Sequence, residues 1–148
     1  MGRKLEDLKG RNIVIDTSPF IYYIEENKKH LEILEKLFSM IDSGEMQGTA
    51  SVITLLEVLV KPLKENDASL AGEYRRILTE SKNLDLLDVN QKTAEKAAHL
   101  RAKYGLPPPD AIVASIAILN NSDFLLTNDE GFKKIKEIKT LLLNELKL

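Results

Sequence analysis

Four acidic residues lie at comparable points of this chain, next to expected strand ends and helix starts: Asp16, Glu57, Asp110 and Asp129. Asp16 and Asp129 follow short apolar runs typical of buried strands, and Asp110 opens an expected helix behind three prolines. Because the carboxyl ends of parallel strands meet at one edge of a sheet, these carboxylates are expected to converge there. Carboxylates at such short distances raise one another's pKa unless a cation lies between them. The pattern therefore predicts a divalent-cation site and favours metal-dependent phosphodiester chemistry.

Mg²⁺ or Mn²⁺ is the expected ion, because both prefer oxygen ligands and keep several bound waters. Such an ion can polarise a phosphate, lower the pKa of a water molecule and neutralise developing charge. The chain has no cysteine, which excludes disulfides, thiolate zinc sites and cysteine nucleophiles. Its two histidines, His30 and His99, stand among charged residues, so each is expected on a solvated helix face.

Each acidic residue also has a structural interpretation. Asp16 and Asp110 suit the starts of helices, and Thr127 with Glu130 has the spacing of a capping box around Asp129. Glu57 is the only charge in the apolar run 52–60, which predicts a well-buried helix that Pro62 ends soon after. A buried carboxylate needs a partner, and that partner is either a cation or Lys61.

The elements that must position these residues alternate between strand and helix. Strands are predicted at 12–15, 46–50, 84–89, 124–126 and, as a candidate fifth, 138–143; helices are predicted at 19–24, 29–41, 52–60, 67–81, 92–104 and 110–119. This order indicates an α/β fold with a parallel sheet of four or five strands. No repeat, low-complexity segment or linker interrupts the 148 residues, so we expect one domain.

Composition limits the partners. The net charge is −2, whereas a protein that holds nucleic acid mainly through phosphate contacts usually has a basic excess. A nucleic-acid role would therefore need a metal, a local basic patch, or both. The chain has neither an apolar run of about 18 residues nor an apolar leader, so we expect a cytoplasmic protein with no membrane partner.

Four short motifs carry a resemblance to a known family: VIDTS at 14–18, ITLLEV at 53–58, LPPPDA at 106–111 and LLTNDEGF at 125–132. In this order and spacing they resemble PIN-domain ribonucleases, above all VapC-type toxins and their archaeal relatives. The resemblance covers essentially the whole chain and implies one PIN-like domain over 1–148 with a three-layer α/β/α fold. It also implies an Mg²⁺ or Mn²⁺ site formed by Asp16, Glu57, Asp110 and Asp129, with the Thr127 hydroxyl beside it.

By the same resemblance, the expected activity is endonucleolytic cleavage of single-stranded RNA. A homodimer and a small antitoxin partner are further expectations, since many relatives are the toxins of toxin–antitoxin pairs. A ribosomal-RNA-processing nuclease and a catalytically silent RNA-binding module remain as alternatives. Phosphoaspartyl chemistry is disfavoured, because Ser18 stands where a second aspartate would be needed.

Contacts with RNA are predicted from basic and aromatic residues. Six of them could form a rim for phosphate groups: Lys61, Lys64, Arg75, Arg76, Arg101 and Lys103. Tyr22 or Tyr23 could stack on a base, although a place in the core is the other interpretation of both.

Overall fold

A five-stranded parallel sheet forms the centre of the computed structural model, which describes residues 2–148. Its strands are β2 (Asn12–Ile15), β3 (Gln47–Ser51), β4 (Leu84–Leu87), β5 (Phe124–Thr127) and β6 (Thr140–Leu142), in the order β4-β3-β2-β5-β6. All four neighbouring pairs are parallel. A separate short pair joins β1 (Arg3–Lys4) to β7 (Leu146–Lys147). The predicted parallel sheet is confirmed, with five strands rather than four.

In the described residues, six α-helices connect the strands: α1 (Thr17–Ile24), α2 (Leu31–Asp42), α3 (Val52–Lys64), α4 (Ala68–Glu80), α5 (Gln91–Tyr104) and α6 (Pro108–Leu119). Local chemistry sets several of their ends. Ser51 Oγ accepts from the Ile53 amide at the start of α3, and Asn90 Oδ1 accepts from the Thr93 amide at the start of α5. Gly105 ends α5 at a φ of 68°, a left-handed conformation that glycine adopts without a steric penalty.

The helices form two layers, one on each face of the sheet. Alternate strand residues enter different cores: Ile13, Ile15 and Leu126 pack with residues of α1 to α4, whereas Val14 and Leu125 pack with α5 and α6. This alternation places four helices on one face and two on the other. The three-layer α/β/α fold is therefore confirmed.

Helix α3 differs from its prediction in length and in burial. It continues through the buried Pro62 to Lys64, because proline removes a single intrahelical hydrogen bond while the helix goes on packing against α4. It is also amphipathic rather than buried all round. Leu56, Val60 and Leu63 are 60%, 55% and 54% exposed, so the inference that Glu57 is buried was wrong.

Within residues 2–148, no helix combines the length and the apolar character that crossing a bilayer requires.

Candidate active site

The centre of the site is the carboxyl edge of β2 and β5, the two middle strands. The Asp16 amide donates to the Leu126 carbonyl over 2.9 Å, which extends the β2–β5 pairing by one residue. This register brings Thr127 beside Asp16, and the Thr127 hydroxyl donates to Asp16 Oδ2 over 2.8 Å. The same hydroxyl oxygen accepts from the Asp129 amide over 3.1 Å. Thr127 therefore links the two strand-end aspartates.

Asp129 has a local structural role as well as a place at the edge. Its Oδ1 accepts from the Gly131 amide over 2.8 Å, at the start of a short 3₁₀ helix over Glu130–Lys134. The predicted cap was Thr127, but the structure assigns capping to Asp129 because Thr127 still belongs to β5. One carboxylate oxygen of the exposed Asp129 is left available for other ligands.

Glu57 reaches the edge from α3 and is exposed. Its Oε1 accepts from the Thr17 hydroxyl over 2.6 Å, and that hydroxyl also lies 3.0 Å from Thr54 Oγ1. The structural alternative for Glu57, an ion pair with Lys61, is wrong. Lys61 Nζ instead pairs with Glu25 Oε1 over 3.3 Å, because Glu25 at the end of α1 faces the last turns of α3.

Asp110 approaches from the opposite layer, in the first turn of α6. Partial burial and the negative charges of Asp16, Asp129 and Glu57 raise its pKa to about 6, and Lys134 partly offsets this. The pKa of Asp16 is also raised, mainly by burial, against the lowering effect of the Thr127 hydrogen bond. The charges of Glu57 and Asp129 raise it further. Thr127 joins Asp16 to Asp129, and the charges of Asp16, Asp129 and Glu57 act on the pKa of Asp110. Within residues 2–148, however, the four carboxylates do not close into one ion-sized cluster, so the expected convergence is only partial.

A divalent ion fits the chemistry of this donor set, which consists of carboxylate and hydroxyl oxygens. Two further oxygens in the same sequence motifs, Ser18 Oγ and Asn128 Oδ1, are buried without a hydrogen-bond partner among the residues described. In residues 2–148, no three acidic or histidine side chains are close enough to enclose one ion. An open set of this kind suits Mg²⁺, which keeps several waters and needs only one or two direct carboxylates.

Several residues outside the acid cluster differ from their predicted environments. His30 is buried and stacks on Tyr22 at a centroid distance of 5.1 Å, so its predicted solvated position is wrong; His99 is exposed as expected. Tyr23 packs on Phe38 with centroids 4.4 Å apart. Both tyrosines pack against the core, as one of their two interpretations held.

Three members of the predicted basic rim are already paired with protein groups, among them Lys61 with Glu25. Lys103 Nζ lies 3.3 Å from Glu137 Oε2, and Arg101 Nε donates to the Leu106 carbonyl over 3.0 Å. Lys134, which the sequence analysis did not select, is the cation whose charge lowers the pKa of Asp110. Lys134 could have been selected from the sequence because it stands five residues after Asp129, at the end of the same short 3₁₀ helix.

Sequence reasoning also missed Thr17 and Thr54 as site residues. Both stand inside motifs that were selected for their acids, one residue after Asp16 and three before Glu57. For Thr54, the signal in the sequence was a threonine within an otherwise apolar helical run, at a position where an aliphatic side chain would be expected.

Solved structures of similar fold include VapBC2 from Rickettsia felis bound to a promoter DNA fragment, with a TM-score of 0.72 and 20% identity over 88% of this chain and 98% of that one. A toxin–antitoxin complex from Klebsiella pneumoniae has a TM-score of 0.64 and 24% identity, over 85% of this chain and 94% of the other. VapC20 from Mycobacterium tuberculosis, described as a sarcin–ricin loop cleaving toxin, has a TM-score of 0.69 and 15% identity, over 86% and 98%. At these identities the likeness shows the fold.

Comparison with curated protein sequences finds no significant match. The family model described as "PIN domain" matches residues 13–138, a span that holds the five-stranded sheet up to its last strand and all four acids. The chain therefore belongs to the PIN domain family.

Proposed function

We propose that this protein is an Mg²⁺- or Mn²⁺-dependent endoribonuclease that cleaves single-stranded RNA and acts in the cytoplasm as the toxin of a toxin–antitoxin pair. The observation that carries the proposal is the placement of Asp16 and Asp129 at the carboxyl edge of the sheet, joined through Thr127, with Glu57 hydrogen-bonded to Thr17, the neighbour of Asp16. Carboxylates so arranged repel one another, and a divalent cation removes that repulsion.

Each acid has a definite role in this proposal. Asp16 and Asp129 at the strand ends, and Glu57 and Asp110 from the two helical layers, would hold the ion directly or through its bound waters. Thr127 orients Asp16 through its 2.8 Å hydrogen bond. When bound, the ion would polarise the scissile phosphate, lower the pKa of an attacking water molecule and neutralise charge on the leaving oxygen.

Lys134 is the cation placed to attract a phosphate towards the acids, since its charge already acts on Asp110. Because the net charge is −2, binding of nucleic acid requires a local positive charge, and Lys134 supplies one.

The homodimer belongs to the proposal as well. The exposed residues Leu56, Val60 and Leu63 follow one another at helical spacing along α3, and a second copy of the chain could cover them. The antitoxin partner is proposed because the structures of similar fold include toxin–antitoxin complexes.

The test is cleavage of a 5′-labelled single-stranded RNA by purified protein with Mn²⁺ and with a chelator. We expect cleavage only with Mn²⁺, and a loss of at least about 100-fold in Glu57→Gln. The matched control is Glu65→Gln, which changes an exposed glutamate at the end of the same helix. Expression in a bacterial host should arrest growth for the wild type and not for Glu57→Gln. Equal cleavage by Glu57→Gln and Glu65→Gln would overturn the proposal.

A further inference from the structure

We propose that Thr54 and Thr17 are positioning residues that hold the Glu57 carboxylate through a chain of two hydrogen bonds. The inference rests on the proposed function in so far as it treats Glu57 as a ligand of the ion. It adds two residues on two different helices, and neither contacts the substrate or the ion in this account.

The direction of the hydrogen bonds follows from donor chemistry. Thr17 Oγ1 lies 2.6 Å from Glu57 Oε1 and 3.0 Å from Thr54 Oγ1. A carboxylate can only accept, so the single proton of the Thr17 hydroxyl points to Glu57. The Thr17 oxygen is then an acceptor, and the Thr54 hydroxyl must donate to it. The chain therefore runs from Thr54 through Thr17 to Glu57, with each bond polarising the next.

The burial of Thr54 indicates that its hydroxyl is there for this contact. Thr54 is 0% exposed, on the face of α3 that packs into the protein. Hydroxyls inside helices often bond back to the carbonyl four residues earlier, as Ser115 does to Ala111 and Thr79 does to Arg75, both over 2.6 Å. Thr54 reaches across to α1 instead. Valine would fill the same volume, so the distinct contribution of the Thr54 hydroxyl is its hydrogen bond to Thr17.

Glu57 needs such a hold because it is exposed. A glutamate on an open helix face samples many rotamers, and ordering them costs free energy each time a ligand binds. Asp16 is held in the corresponding way by the Thr127 hydroxyl. Each of these two carboxylates thus receives a hydrogen bond from a threonine on another element, the type of outer contact that orients ligand groups.

A second contact also joins α1 to α3, so the test must separate orientation from helix docking. Lys61 Nζ pairs with Glu25 Oε1, and the buried Tyr74 hydroxyl donates to Glu25 Oε2. This cluster ties the carboxyl ends of α1 and α3 to α4 whether or not Thr54 keeps its hydroxyl. Removing that hydroxyl should therefore free Glu57 without separating the helices.

The first measurement is the dissociation constant of Mn²⁺, read from the electron paramagnetic resonance signal of the free ion. Thr54→Val should raise this constant about 10- to 100-fold, the range typical of lost outer-shell contacts. Thr54→Ser, which keeps the hydroxyl and loses a methyl group, should stay within about threefold of the wild type. Thr79→Val is the control, because it removes a helix hydroxyl far along the chain from the acids.

The second measurement does not depend on metal or on cleavage. In the metal-free protein, the ¹³C resonance of the Glu57 side-chain carboxyl, assigned by its loss in Glu57→Gln, should shift in Thr54→Val and Thr17→Val and stay in place in Thr54→Ser and Thr79→Val. An unshifted resonance in Thr54→Val would overturn the inference even if the protein cleaves RNA. Shifted resonances and a weakened Mn²⁺ constant would uphold it even if RNA is not the substrate.

Discussion

Replacing Asp110 with asparagine should stabilise the metal-free protein at neutral pH, because it removes a charge that the folded state disfavours. The folded pKa is about 6 and the ordinary value is 3.8. A group whose pKa is raised on folding contributes stability below its unfolded pKa, and this contribution is lost as the pH rises through the folded pKa. The loss therefore falls between about pH 4 and pH 6, and asparagine avoids it.

The magnitude follows from three contributions. The difference between a pKa of 3.8 and one of about 6 corresponds to at most about 3 kcal/mol of unfolding free energy. Because Asp110 is only partly buried, solvent screening reduces this to about 1.5–2 kcal/mol. The charge also lies at the amino end of α6, where the helix dipole favours it by about 0.3–1 kcal/mol. A net gain of about 1 kcal/mol remains for Asp110→Asn, or a rise in Tm of about 2–4 °C.

The assay is a set of thermal melts with chelator at pH 4.5 and pH 7.5. The variant should melt above the wild type at pH 7.5, and the difference should shrink at pH 4.5, where the wild-type carboxyl is already protonated. Asp88→Asn is the matched control, since Asp88 is exposed after the edge strand β4. If Asp110→Asn strongly lowers the pH 7.5 melt, Asp110 serves as a structural partner of the α6 amino end, and the reasoning from clustered charge fails.

Mn²⁺ at ~100 times its dissociation constant should add about 2.7 kcal/mol to the unfolding free energy of the wild type. That gain raises the Tm of the wild type by roughly 5–10 °C in a thermal melt. The rise should be much smaller for Asp110→Asn. A wild-type Tm that does not change at millimolar Mn²⁺ would argue against an ion site. Lys61→Met should change the unfolding free energy by less than about 1 kcal/mol in urea titration, because Lys61 is 63% exposed in its pair with Glu25. A loss above about 2 kcal/mol would show that the Glu25 cluster depends on Lys61.

Much of the fold could be predicted from the sequence because its strands are short apolar runs that end in polar residues. The run 12–15 was correct at both ends, and Asp16 follows it as expected. Helix α3 was misjudged because nine mostly apolar residues in a row leave the exposed face undetermined. Only tertiary packing decides that Val58 turns inward while Leu56 and Val60 face solvent.

The candidate site was anticipated less completely. Strand-end placement was enough to group Asp16 with Asp129, because parallel strands share one edge. The hydroxyl chain from Thr54 was out of reach, since it depends on where α1 and α3 meet, 37 residues apart along the chain. The burial of His30 has a similar cause: its charged neighbours face solvent, while the ring turns inward to stack on Tyr22.

The most direct test of the central claim compares Asp16→Asn with the wild type in two assays on the same single-stranded RNA. Asp16 lies at the centre of the cluster, with Thr127 bonded to it and with Glu57 and Asp129 acting on its pKa. We expect Mn²⁺-dependent cleavage to fall by several orders of magnitude while RNA binding in a gel-shift assay stays within about threefold. Cleavage at the wild-type rate by Asp16→Asn, from a preparation free of contaminating ribonuclease, would contradict a metal-dependent nuclease at this edge of the sheet.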